Sequence, residues 1–231
     1  GQFANAMRRG VRMAYIVENN GVYGLTKGQF SATADRGSKS KKGVINSDSP
    51  VDLVGIALQL GATYVARSFS GDKAQLVPLI KGAMAHGGAA FIDVISPCVT
   101  FNNHGGSTKS YDYVRQHNEA VSRIDFITPR SEITTEYAPG EVVEVQQHDG
   151  STLRLRKLHP DYDPTDRYAA MSYMNEHQSR GEVVTGLLYL DPLATDLHTA
   201  MNTSHRPLNS LGAAQLCPGV SALERINASL R

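Results

Sequence analysis

With 231 residues, and 23 Lys+Arg against 22 Asp+Glu, the chain is long enough for one large domain and nearly electroneutral, which excludes bulk attraction to nucleic acid or to a lipid surface. Hydrophobic residues make up 41% and charged residues 19%, as in an ordinary globular protein, and apolar runs such as Val183–Leu190 fall far short of the roughly 20 residues of a membrane span. Two cysteines, Cys98 and Cys217, are too few for a disulfide framework and fit a cytoplasmic protein. Gly1 enters without an initiator Met and runs into a helix-like stretch over 2–7, so further residues are expected upstream.

The first half alternates short apolar runs with helical patterns. Residues 11–18 predict a strand buried on both faces towards its end, and 50–60 a helix capped by Ser49, with Pro50 in its first position and Gly61 at its stop. Residues 63–67 predict a second strand. A second helix follows over 73–86, with Asp72 as its cap, Pro78 inside it and Gly87-Gly88 ending it. Residues 89–95 predict a third strand, broken at Ser96-Pro97. Strand, helix, strand, helix, strand at this spacing predicts a parallel sheet. Between the first strand and the first helix lie some thirty loop-like residues, longer than compact domains usually carry without a function. Their second part, 35–42, is expected to be solvated and mobile.

The second half changes character. Residues 141–145 and 152–158 flank His148-Asp149-Gly150, a hairpin signal. Residues 164–178 predict a helix with Asp163 as cap and Pro164 in the first position, and 183–190 a strand. From Asp191 onward, Pro192, Pro207 and Pro218 predict a wrapping, mostly irregular extension before a short helix over 221–230.

Standard dinucleotide, nucleotide, zincin and hydrolase motifs are absent, and the eight histidines are scattered. The informative segment is 17–29, Val17-Glu18-Asn19-Asn20-Gly21-Val22-Tyr23-Gly24-Leu25-Thr26-Lys27-Gly28-Gln29. An Asn side-chain oxygen and a backbone carbonyl two residues later suit a hard cation such as Mg²⁺. The glycines allow a phosphate to approach the backbone, and Thr26 offers a hydroxyl. A strand's carboxyl end is where open α/β sheets bind ligands. A Gly-rich turn without a ligand has the same composition.

Residues 19–29 resemble the second half of the thiamine-diphosphate motif in β subunits of 2-oxoacid:ferredoxin oxidoreductases, and Asn5-Ala6-Met7-Arg8-Arg9 is similar to the helix before it. Ile95-Ser96-Pro97-Cys98-Val99-Thr100-Phe101-Asn102 resembles the family's segment carrying the last ligand of a [4Fe–4S] cluster, and Gly61-Ala62-Thr63-Tyr64-Val65-Ala66-Arg67 its intervening strand. The tail from Leu208 is similar to the longer, 2-oxoglutarate type of β subunit. The family's Gly-Asp-Gly and its three other cluster cysteines are expected upstream of Gly1.

The resemblance implies an α/β fold, a doubly wound parallel sheet of the thiamine-diphosphate-binding type with a C-terminal hairpin and wrapping extension. It implies that 1–130 form the C-terminal part of the thiamine-diphosphate and magnesium domain, including the last cluster cysteine, and that 131–231 pack on it. It assigns Asn20 (side chain) and Val22 (carbonyl) to Mg²⁺, and Asn19, Tyr23, Gly24 and Thr26 to the diphosphate site. Leu25 and Lys27 shape the substrate pocket, where Lys27 can pair with a substrate carboxylate, and Cys98 is a cluster ligand. The implied activity is oxidative decarboxylation of 2-oxoglutarate with coenzyme A to succinyl-CoA and CO2, or the reverse carboxylation, with an α subunit and ferredoxin as partners. The alternatives are a pyruvate-selective enzyme of the same family, a non-oxidative thiamine-diphosphate decarboxylase or synthase that needs no Cys98, and a cofactor-free structural subunit.

Overall fold

Three strands of the first half share one direction: β1 (Met13–Asn19), β4 (Tyr64–Phe69) and β5 (Ala89–Ile95), with β5 in the middle and parallel to both neighbours. The computed structural model describes residues 1–23, 29–38, 44–96, 133–147, 152–217 and 219–230. Contacts divide the chain into two compact units, 1–196 and 197–231.

The period-2 alternation of these strands sorts their side chains onto two faces. Val65 and Phe91 pack with Met7 of α1 (Gln2–Arg8), with Val54 and Leu58 of α2 (Leu53–Gln59), and with Met174 of α4 (Arg167–Ser179). Tyr64, Ala66, Ala90, Ile92 and Val94 form the opposite layer, with Leu79 and Ala83 of α3 (Lys73–Ala85). The chain therefore crosses from β1 to β4 by way of α2 on one face and returns to β5 by way of α3 on the other. That is double winding.

The sheet does not remain parallel. β8 (Val183–Leu190) lies antiparallel to β4, β7 (Thr152–Lys157) parallel to β8, and β6 (Val142–Gln146) antiparallel to β7, giving the order β1-β5-β4-β8-β7-β6. The expected hairpin is β6–β7, its turn lying outside the described residues. β6 to β8 thus continue one sheet with β4, and the contact boundary falls at residue 196.

Three local expectations are corrected. β1 is not buried on both faces: it is an outer strand of the described sheet, half-exposed along its length, with Ile16 open to solvent. α2 begins at Leu53, with the Asp52 side chain accepting from the Val54 N–H, so Ser49 is not its cap. α4 begins at Arg167, with Asp166 accepting from the N–H groups of Tyr168 and Ala169, while Asp163 closes a separate turn with Thr165. α3 starts as expected, capped by Asp72, and runs through Pro78, which sits on its solvent side where the unbonded carbonyl can be hydrated.

The second unit holds α5 (Leu197–Ala200), a 3-10 turn (Leu208–Ser210), α6 (Ala213–Leu216) and α7 (Val220–Ser229). Cys217 is exposed at the end of α6.

Candidate functional site

The carboxyl ends of β1, β4 and β5 open onto a cleft of about 870 Å³. Since β7 and β8 run opposite to these strands, their amino ends reach the same rim, and Arg154, Glu182 and Val183 form its far wall. Asn19, Asn20, Gly21 and Val22 lie on the near wall.

β1 ends at Asn19, and the chain turns at once. The Asn20 Oδ1 accepts from the Val22 N–H at 3.1 Å, and Gly21 takes φ +70°, the left-handed conformation that a tight reversal requires. A short antiparallel pair follows, β2 (Val22–Tyr23) with β3 (Gln29–Phe30). Its ladder bond runs from the Ser31 N–H to the Gly21 carbonyl, so Val22 opposite Phe30 directs its own N–H and carbonyl away from β3. The Val22 carbonyl and the Asn20 amide therefore face one edge of the loop, two hard oxygen donors suited to Mg²⁺. Tyr23 is half-exposed beside them. Gly24, Leu25, Thr26, Lys27 and Cys98 lie outside the described residues.

The Asn19 side chain bonds to Asp93 and Thr33. Its Nδ2 donates to the Asp93 Oδ1 at 3.2 Å, and its Oδ1 accepts from the Thr33 hydroxyl at 2.7 Å. The Asp93 Oδ2 takes the Arg67 Nε at 2.8 Å, and the Arg67 Nη2 reaches the Asp52 Oδ1 at 3.1 Å. Asp93 is 1% exposed, and a carboxylate so deep is tolerable only with a charged partner and filled lone pairs. Asp93, Arg67, Asp52 and Thr33 were absent from the sequence-derived site. Their signal is a charge inside an apolar strand: the Asp of Ala89–Ile95 and the Arg of Tyr64–Phe69, which the register places side by side.

A second polar cluster stands on the far wall. The Glu182 Oε2 accepts from the Arg156 Nε at 2.5 Å and lies 2.7 Å from the Nδ1 of His177, whose ring packs at a tilt against that of Tyr173. The Arg156 hydrogen bond first, and then that of His177, hold the Glu182 carboxyl down to about 2. Deeper in the sheet, the Tyr137 hydroxyl meets the Thr185 Oγ1 at 2.7 Å and burial pushes it up to about 12, while the Lys157 Nζ pairs with Asp72 at 2.7 Å. Among the described residues no group of three or more His, Cys, Asp or Glu is arranged to hold a metal ion, and no helix is long and apolar enough to cross a membrane.

Residues 1–94 match the family of the thiamine pyrophosphate enzyme C-terminal TPP binding domain. A 2-oxoacid:ferredoxin oxidoreductase subunit beta of Saccharolobus solfataricus is 47% identical over 106 residues, covering 45% of this chain and 34% of that protein. The 2-oxoglutarate oxidoreductase subunit KorB of Mycobacterium tuberculosis is 36% identical over 100 residues, 43% of this chain and 27% of that one. The 2-oxoglutarate synthase subunit KorB of Archaeoglobus fulgidus is 34% identical over 127 residues, 54% of this chain and 46% of that one. The chain thus spans less than half the length of these relatives. In three dimensions it is similar to a 2-oxoglutarate:ferredoxin oxidoreductase from Magnetococcus marinus solved with 2-oxoglutarate, coenzyme A and succinyl-CoA bound, at 26% identity and a TM-score of 0.57, covering 90% of this chain and 60% of that one.

Proposed function

We propose that the chain is a 2-oxoacid:ferredoxin oxidoreductase β subunit that works with an α subunit in a 2-oxoglutarate-type enzyme. The net reaction takes 2-oxoglutarate and the coenzyme A thiol to succinyl-CoA, CO2 and a proton, and reduces two ferredoxins by one electron each, or runs in reverse. The preference for 2-oxoglutarate rests on the names of the KorB relatives and on the ligands of the Magnetococcus enzyme. A cluster held by thiolates also favours a reducing, cytoplasmic setting.

One observation carries the reading: the Asn20 amide oxygen and the Val22 carbonyl share one edge of a loop at the carboxyl end of β1, on the rim of the cleft. They fit a magnesium ion that holds a diphosphate, with Gly24 and Thr26 lining the phosphate groups and Leu25 and Lys27 the substrate side. Thiamine diphosphate, when bound, supplies the electron sink that a 2-oxo acid needs in order to lose CO2. The chain's own part is to clamp the metal, exclude water and offer Lys27 to a substrate carboxylate. Cys98 is assigned to the electron path as the last ligand of a [4Fe–4S] cluster.

Asn20→Ala in the assembled αβ enzyme removes a hard oxygen ligand. Thiamine diphosphate should then be lost on dialysis with limiting Mg²⁺, and an unchanged content overturns the site. Cys98→Ala should lower iron content and abolish ferredoxin reduction while the thiamine cofactor stays bound; full iron retention removes Cys98 from the cluster. A higher kcat/KM for pyruvate than for 2-oxoglutarate makes the enzyme pyruvate-selective instead.

A further inference from the structure

We infer that Asp93 and Thr33 are positioning residues, which act through the Asn19 side chain to set the direction of the Asn20 and Val22 oxygens. The inference rests on the magnesium site proposed above and adds residues on two further segments to it.

Packing does not explain Asp93. It is the one charge in a strand otherwise made of Ala, Phe, Ile and Val, and its carboxylate sits among buried residues with each oxygen committed to a different partner. An aliphatic residue there would spare the desolvation of an ion. What the carboxylate does instead is fix an amide. A carboxylate only accepts, so Asn19 must turn its NH2 towards Asp93, and its Oδ1 then faces Thr33 and accepts the hydroxyl proton. The Asn19 carbonyl is held as well, by the Ser96 N–H at 2.9 Å.

Asn19 is thereby fixed at three atoms, and Asn20 is the next residue. The other arm of the loop is tied to the same point: Thr33 lies just past β3, and its neighbour Ser31 donates its N–H to Gly21 and sets its hydroxyl 2.9 Å from that of Thr33. The two arms thus meet at one amide, and the turn that carries the Asn20 and Val22 oxygens is strung between them. Arg67 balances the charge below, and Asp52 ties Arg67 to the start of α2. Hydrogen-bonding partners behind metal ligands commonly change metal affinity by about 10- to 100-fold when removed.

The test is a Mg²⁺ titration of thiamine diphosphate retained by the assembled αβ enzyme, read by equilibrium dialysis, with thermal unfolding in parallel. Thr33→Val keeps the side chain's shape and removes the hydroxyl. It should raise the Mg²⁺ concentration for half-maximal retention roughly tenfold with Tm unchanged, while Thr33→Ser restores the wild-type value. Asp93→Asn, whose amide can donate to the Asn19 Oδ1 and so compete with Thr33, should shift the titration in the same direction. If Thr33→Val titrates within about twofold of wild type while Asn20→Ala loses the cofactor, the positioning role is wrong and the magnesium site stands. A shift accompanied by a fall in Tm that Thr33→Ser does not restore also overturns it, by showing a general structural role. If Asn20→Ala itself retains the cofactor, both assignments fall together.

Discussion

Asp93 and Glu182 are both buried carboxylates on the walls of one cleft, and they are anchored in opposite ways. Glu182 bonds side chains from β7 and α4, so its network closes on regular elements. Asp93 bonds Arg67 on one side, but on the other it bonds Asn19, and through it a loop. A charge network that closes on itself contributes to folding, whereas one that ends in a loop also holds that loop in a shape. The far wall is accordingly scaffold, and the near wall is the part of the site whose geometry can be tuned.

This contrast can be broken most forcefully at Glu182. Glu182→Ala leaves Arg156 and His177 facing each other without their anion and should cost roughly 3–5 kcal/mol in urea unfolding of the chain. The same variant should leave the Mg²⁺ titration of cofactor retention unmoved, and a shift there would erase the distinction between the walls.

Acid unfolding sharpens the same point. The folded carboxyl is held near 2, below its ordinary value of 4.5, so its stabilisation is complete above about 4.5 and drains away as pH falls towards about 2. Glu182→Gln should flatten the stability curve across that window, and an unaltered slope would assign the acid sensitivity to other groups.

Gly186 offers a smaller perturbation in the scaffold. It sits in β8 at φ +132°, and a Cβ there would lie 2.8 Å from the Leu158 Cδ1. Gly186→Ala should cost about 1–3 kcal/mol, read as a lower urea midpoint, again without moving the Mg²⁺ titration.

The least effect is expected at Asp166, the cap of α4. Asp166→Ala should remove about 1 kcal/mol, whereas Asp163→Ala should remove clearly less, because Asp163 closes only an exposed turn.

That pair of aspartates shows what local sequence can and cannot tell. In 49–52 and in 163–166 the chain offers two capping side chains three residues apart with a proline after the first, and in both the later one caps. At Asp163 the first side chain is taken by its own turn with Thr165. At Asp52 the choice coincides with a contact no local rule can see, the guanidinium of Arg67. Strand positions were legible because alternation and apolar runs are local properties of Tyr64–Phe69, Ala89–Ile95 and Val183–Leu190. Strand direction was not: nothing within Val183–Leu190 says that it runs against β4. The same limit hid the inner half of the site. The motif around Asn20 is contiguous, whereas Arg67 meets Asp93 only once β4 and β5 are in register.

Among the described residues β4 has hydrogen-bonded neighbours on both sides, while β1, where the Asn19-Asn20 corner begins, pairs with β5 alone. Amide hydrogens along β4 should be among the last in the molecule to exchange with solvent, and those at the end of β1 should exchange through small, local openings. Among the described residues the corner that carries Asn20 is thus built on an edge strand, and side chains add to what its backbone ladder supplies. Such a corner can open and reclose around a ligand while the spine of the sheet stays intact.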